Sequence, residues 1–250
     1  MADRNEIVAY LDDLLAAPTF ADYGPNGLQV PGAIDVSRVI SGVSATLELF
    51  ERAIERNAEL VLVHHGIFWG ESGALSPLQA NRIRALLTHD INLVAYHLPL
   101  DAHLTHGNNA LLAEKLGFSV EAPFGDYKGS SIGVLCNSEP IGGVELAERI
   151  EQRIGRRPLH FACGPPELRR IALISGAAAD YIHEAAAAGA DAFITGEPVE
   201  RVQANAKELG IDFFAAGHHA TEILGIERLG DLVAERFGVE HEFIDIPNPV

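Results

Sequence analysis

Histidines paired with carboxylates at short spacing are the part of this chain equipped for chemistry. Leu62-Val63-His64-His65-Gly66 sets two adjacent imidazoles directly after an apolar run. Tyr96-His97-Leu98-Pro99-Leu100-Asp101 places an imidazole and a carboxylate four residues apart after the next such run. Gly217-His218-His219-Ala220-Thr221-Glu222 repeats that spacing late in the chain. A lone histidine at a strand end is usually a hydrogen-bonding loop residue, but three such clusters in equivalent places point to a metal. Imidazole with carboxylate suits zinc, manganese, iron or nickel, and the residue types do not choose among them. His64, His65, Asp101, His218 and Glu222 are more donors than one open tetrahedral site uses. Two divalent ions are therefore expected, a shared carboxylate holding them ~3.5–4 Å apart.

A second tier of residues lies close by. Thr195-Gly196-Glu197 ends another apolar run. Glu197 reads either as a helix-start carboxylate favoured by the dipole or as a general base facing the metals. Asp22-Tyr23-Gly24-Pro25-Asn26-Gly27-Leu28-Gln29-Val30 is turn chemistry that by itself says only that a loop is ordered. His89, His103, His106, His160, His183 and His241 lack comparable partners and read as surface or structural residues. There is no Walker loop, no nucleophile elbow and no dinucleotide-binding glycine pattern.

The elements that must position these side chains alternate in the α/β manner, with largely parallel pairing. Strands are expected at Val36–Val43, Leu60–Val63 and Ile91–Tyr96, and helices at 6–15, Thr46–Arg56, from Ser76-Pro77, and Gly107–Leu116. The same order returns later. Strands are expected at Arg170–Ser175, Ala192–Thr195 and Ile211–Ala216, with helices over Asp180–Ala188, from Pro198 to Leu209, and from about Thr221 to Phe237. The chain thus reads as two related α/β halves, residues 1–125 and 126–250, joined through Phe124–Ser131. Ligands of such sheets bind at the carboxyl ends of strands, so the metal site is expected there, between the halves. His218 and Glu222 share a face if a helix begins near His218, whereas Pro99 argues for a tight loop across His97–Asp101.

Composition narrows the function classes. The 250 residues are 48% hydrophobic and 21% charged, the balance of a folded protein. Eighteen basic against 35 acidic residues give a formal charge of −17, and the lysines are only Lys115, Lys128 and Lys207. That field argues against nucleic acid as a partner. No apolar stretch reaches a membrane span, and the polar start Met1-Ala2-Asp3-Arg4-Asn5-Glu6 carries no secretory pattern, so a cytoplasmic location is expected. Cys136 and Cys163 form no CxxC pair.

The motifs Asn26-Gly27-Leu28-Gln29-Val30, Val63-His64-His65-Gly66, His97…Asp101 with Gly107-Asn108-Asn109, Thr195-Gly196-Glu197 and Gly217-His218-His219-Ala220-Thr221-Glu222 occur in one order. In this they resemble the NIF-three-like dinuclear-metal family, also catalogued as GTP cyclohydrolase I type 2 homologs. The closing Phe243-Ile244-Asp245-Ile246-Pro247-Asn248-Pro249 is similar to its short bacterial branch. The resemblance implies a homo-hexamer, a trimer of dimers, with a dinuclear site in each subunit. It implies His64, His65, Asp101, His218 and Glu222 as ligands, Glu222 bridging, with His97 nearby as a less certain ligand. The activity in the catalogue name would open a purine ring at C8 with loss of formate. Such chemistry also needs triphosphate contacts, for which Arg82 and Arg84 are the candidates. The expected function is a dinuclear metal-dependent hydrolase acting on a small, nucleotide-like substrate. The alternative is a non-catalytic metal-binding or metal-delivery scaffold.

Overall fold

Wholly apolar runs become central strands because a strand covered on both faces has no side to give to water. In the computed structural model, which describes residues 1–70 and 73–250, Val61, Leu62 and Val63 are fully buried, as are Leu93 and Val94. The strands Arg38–Ser44, Leu60–His65 and Asn92–Ala95 run parallel, with Ile40 beside Val61 and Val61 beside Leu93. Later in the chain Leu168–Leu173, Ala192–Thr195 and Asp212–Ala215 form a second parallel trio, with Ile171 beside Ala192 and Phe193 beside Phe213. One antiparallel strand closes the third member of each trio: Gly27–Val30 in the first and Leu159–Phe161 in the second. The repeat read from the sequence is thus this trio and its flank. Beyond the first member the sheets differ. Glu240–Phe243 joins Arg38–Ser44 in parallel, while Ser130–Ile141 joins Leu168–Leu173 antiparallel and carries Ser119–Tyr127 outside it.

The chain divides into two units, one of residues 1–100 and 225–247, the other of residues 101–224 and 248–250. This differs from the division expected at residue 125. Phe124–Ser131 lies inside a hairpin, Ser119–Tyr127 against Ser130–Ile141, so no linker exists there. Residues 225–247 return to the first unit because Glu240–Phe243 completes its sheet.

Helices cover the sheets with local signals that agree with their packing. Thr46 caps Leu47–Glu55 by accepting the Leu49 N–H, and Leu49, Phe50 and Ala53 turn into the first core. Ser76 and Gln79 form a reciprocal capping box on Pro77–Thr88, with the proline in the first turn where its missing N–H goes unnoticed. The second core gathers Leu112, Leu146, Ile150, Ile171, Ile194 and Phe214. Each large apolar side chain buried in these clusters contributes roughly 1.5–3 kcal/mol against the entropy of ordering the chain.

Three local expectations are corrected. Leu98–Ala102 is a short helix, not a loop, because Pro99 occupies its first turn, where no N–H is required. Pro198 precedes its helix, which spans Val202–Leu209. The helix expected from Thr221 to Phe237 is two, His218–Thr221 and Ile223–Phe237, with Glu222 at the break. Among the described residues no helix is long and apolar enough to cross a membrane.

Candidate metal centre

The first unit brings three imidazoles to the carboxyl ends of adjacent parallel strands. His64 and His65 end Leu60–His65, and His97 follows Asn92–Ala95. Alternation along a regular strand would send the neighbours His64 and His65 to opposite faces. Instead their ring centroids lie 4.6 Å apart, and His97 stands 5.0 Å from His64 and 5.5 Å from His65. One nitrogen from each of the three falls within 4.8 Å of the others. Three imidazoles at that distance are a donor set suited to a divalent cation.

How these rings are held matters as much as where they are. His64, fully buried, has its Nδ1 2.9 Å from the carbonyl oxygen of Tyr96, so Nδ1 carries the proton and donates it. His65 Nδ1 lies 3.1 Å from the Ser44 hydroxyl. His97 Nδ1 lies 2.7 Å from Asp22 Oδ1. Asp22 Oδ2 also accepts the Leu98 N–H and the Asn26 side-chain amide, both at 2.9 Å, while Asn26 Oδ1 accepts the His97 N–H at 2.9 Å. Burial pushes the Asp22 carboxyl upward, but the hydrogen bond and charge of His97, with Asn26 and the Tyr23 N–H, outweigh it and hold the group below its ordinary value. In each case Nδ1 is engaged by a polar group, a kind of contact that orients metal-bound histidines.

The second unit has its own group of carboxylates with one more imidazole. Asp101 is buried, and its Oδ1 accepts both the Asn108 amide and the Ser175 hydroxyl at 2.9 Å. Asn109 steadies the same corner, donating to the carbonyls of Asp101 and Ile132 at 3.0 and 2.6 Å and accepting the Ser175 N–H at 2.7 Å. His218 opens a helical turn, and its Nε2 lies 3.2 Å from Oε1 of the buried Glu222. Its Nδ1 hydrogen-bonds to the Glu197 carboxylate. Burial lowers the basicity of His218, yet Glu222 and then Glu197 outweigh that and push its pKa up to about 9. Gly176, with φ +65°, is required beside this pair, since a Cβ there would lie 2.4 Å from Glu222 Oε1.

A model of the Duf34/NIF3 (NGG1p interacting factor 3) family matches residues 2–249. The chain belongs to this family. A Pseudomonas aeruginosa relative named GTP cyclohydrolase 1 type 2 homolog is 47% identical over 245 residues, 97% of either chain. An Escherichia coli relative of the same name is 42% identical over 254 residues, covering 98% of this chain and 99% of the other. Among solved structures, protein ybgI, described as of unknown function, superposes with a TM-score of 0.94 at 41% identity, covering 99% of this chain and all of that one. The Thermus thermophilus protein TTHA1606 gives 0.90 at 34% identity, again with 99% and 100% coverage.

Within this NIF3-family chain, the six histidines expected to be structural take structural contacts or surface positions. His241 is held at both nitrogens, by Asp231 and the Ser41 hydroxyl, and His160 pairs with Asp212 while stacking on Phe214. Arg84 is exposed and donates to Asn81 of its own helix, and Arg82 on the same helix is half-buried. Glu197, expected as a helix-start carboxylate or a general base, hydrogen-bonds to Nδ1 of His218. The sequence reading missed the roles of Asp22, Ser44, Ser175 and the Tyr96 carbonyl. Of these only Asp22 lies in a segment singled out from the sequence, and nothing local there names its partner His97.

Proposed function

We propose that this protein is a metal-dependent, hydrolase-like enzyme holding two divalent transition-metal ions on His64, His65, Asp101, His218 and Glu222, with His97 as a further donor. The observation that carries this reading is the shared anchoring of four imidazoles, whose Nδ1 atoms are engaged by Tyr96, Ser44, Asp22 and Glu197. The family resemblance makes Glu222 the carboxylate that two ions would share. When bound, such ions bring the pKa of a water toward neutrality and polarise a carbonyl or phosphoryl oxygen. Asn108 and Ser175 fix one oxygen of Asp101 and so direct the other. Two divalent ions bring four positive charges and the two carboxylates remove two, which favours an anionic substrate within an acidic protein. The name carried by the relatives makes nucleotides the first class to try. The family resemblance adds a homo-hexamer, which light scattering would reveal as a multiple of 26.8 kDa, and a mass near that of one chain would refute it.

Elemental analysis after metal reconstitution is the direct test. Two ions per chain are expected, with both sites crippled in Glu222→Ala, whereas one ion or none in the unaltered protein removes the dinuclear reading. A screen of nucleotides, phosphodiesters and cyclic amides on the loaded protein then addresses hydrolysis. Two retained ions with no turnover on any of these would favour the metal-handling alternative.

A further inference from the structure

Beside the three histidines of the first unit stands an aromatic rim. Trp69 is 45% exposed and Tyr23 52% exposed. Both flank His97, Trp69 edge-on with centroids 5.1 Å apart and planes at 86°, Tyr23 at 6.0 Å and 60°. Trp69 also lies 5.7 Å from His65. Large aromatic rings left in water forgo their burial energy, and neither of these two belongs to the first core.

The rim is built to be rigid. The Trp69 indole N–H donates to the Gly66 carbonyl at 3.1 Å, which fixes the ring. The segments carrying the two rings are joined by the Gly70 N–H donating to the Tyr23 carbonyl at 2.6 Å. Gln29 spans the same loops, accepting the Ile67 N–H at 2.9 Å and donating to the Pro25 carbonyl at 2.8 Å. Close approach requires glycine twice, since a Cβ on Gly24 would sit 2.3 Å from the Phe68 carbonyl oxygen and one on Gly66 2.3 Å from the Gln29 amide. A shallow groove follows the rim, lined by Pro25, Asn26, Gln29, Trp69, His64 and His97. Its amides are already committed, Asn26 to Asp22 and the His97 N–H, Gln29 to Ile67 and Pro25. The groove itself is narrow, and the surface open beside it is that of the half-exposed Trp69 and Tyr23 rings.

We propose that Trp69, assisted by Tyr23, is a stacking platform for a planar heteroaromatic ring, which it sets beside the imidazoles of His64, His65 and His97. This names a chemical class of substrate for the site proposed above and rests on that reading only for the chemistry performed next to the ring. Stacking on an aromatic face tolerates many substituents, so the platform selects for a ring rather than for one molecule.

Trp69 is the chain's single tryptophan, so its fluorescence reports this platform alone. The full-length protein, metal-free and metal-loaded, is titrated with guanosine 5′-monophosphate and, as the ring-free control, ribose 5-phosphate. Saturable quenching by the nucleotide in both forms, and none by the sugar phosphate, is expected. Calorimetry should show about 10-fold weaker nucleotide binding in Trp69→Ala and a loss of no more than about 3-fold in Trp69→Phe. Absence of saturable quenching up to millimolar nucleotide overturns the proposal, as does unchanged affinity in Trp69→Ala. An oligomer that dissociates in Trp69→Ala while nucleotide affinity stays unchanged also overturns it, and makes the rim a contact between subunits. Ring binding by a protein that fails to take up two ions would uphold the platform and sink the metal reading; two ions without ring binding would do the reverse.

Discussion

Removing Glu197 tests whether anchoring the far nitrogen of an imidazole governs metal retention. His218 is held on both sides by carboxylates, Glu197 at Nδ1 and Glu222 at 3.2 Å from Nε2. Only Glu197 can be deleted without deleting a proposed donor. Alanine there lets the ring turn about its two side-chain bonds and withdraws a charge that raises its basicity. Losing an orienting partner of this kind typically costs 10–100-fold in metal affinity, or about 1.4–2.7 kcal/mol at 1.36 kcal/mol per tenfold. Glutamine keeps an acceptor and gives up only the charge, so a loss below about tenfold is expected, charged hydrogen bonds being roughly twice as strong as neutral ones. Glu197 belongs to neither apolar core, so both variants should stay folded. Competition against a chromogenic chelator gives the stepwise zinc affinities, and thermal melting of the metal-free protein checks the fold. Wild-type affinity for both ions in Glu197→Ala would refute the orienting role. A loss as complete as that of Glu222→Ala would make Glu197 a ligand.

Other outcomes follow from the same contacts. Asp22→Ala removes an acceptor shared by His97, Leu98 and Asn26 and should cost ~1–3 kcal/mol in urea unfolding, an unchanged midpoint counting against the clamp. Burial pushes the Asp212 carboxyl up, but His160 and the N–H groups of Gly164 and Cys163 outweigh it and hold the group below its ordinary 3.8. Its stabilisation is therefore complete above 3.8 and lost as pH falls through the lower folded value. The stability gap between wild type and Asp212→Asn should be wide at neutral pH and narrow toward pH ~2–3, and an equal gap at both would contradict the coupling. Burial, with Glu121 nearby, pushes the buried Cys136 thiol up to about 12, whereas Cys163 is partly exposed. A thiol reagent should label Cys163 in the native protein and Cys136 only after unfolding; rapid labelling of both natively would show that the Cys136 strand opens.

What was legible in the sequence was local. Leu60–Val63 announced a buried strand by being apolar throughout, and Ser76-Pro77 announced a helix start through chemistry confined to one turn. The histidine clusters were legible because they sit where strands end. The hairpin at Ser119–Tyr127 and Ser130–Ile141 escaped because Gly125, Lys128 and Gly129 all have positive φ and read as a connection. Asp22 escaped for another reason: its partner His97 is 75 residues away, and no local pattern encodes such a pairing. The helix Leu98–Ala102 is masked by Pro99, a residue that breaks a helix interior yet suits its first turn.

The order in which this chain is synthesised is out of step with the order of its sheets. The first unit lacks Glu240–Phe243, the parallel neighbour of Arg38–Ser44, until residues 101–224 have been made. At the usual ~5–20 residues per second, the ribosome spends on the order of ten seconds on that stretch. Throughout it the nascent first unit carries an uncovered strand edge whose N–H and C=O groups can pair with a neighbouring chain. The second unit needs only the last three residues from beyond Pro247, so it can consolidate first. Production at high expression levels and low chaperone supply should therefore lose this protein to aggregation through its amino-terminal third.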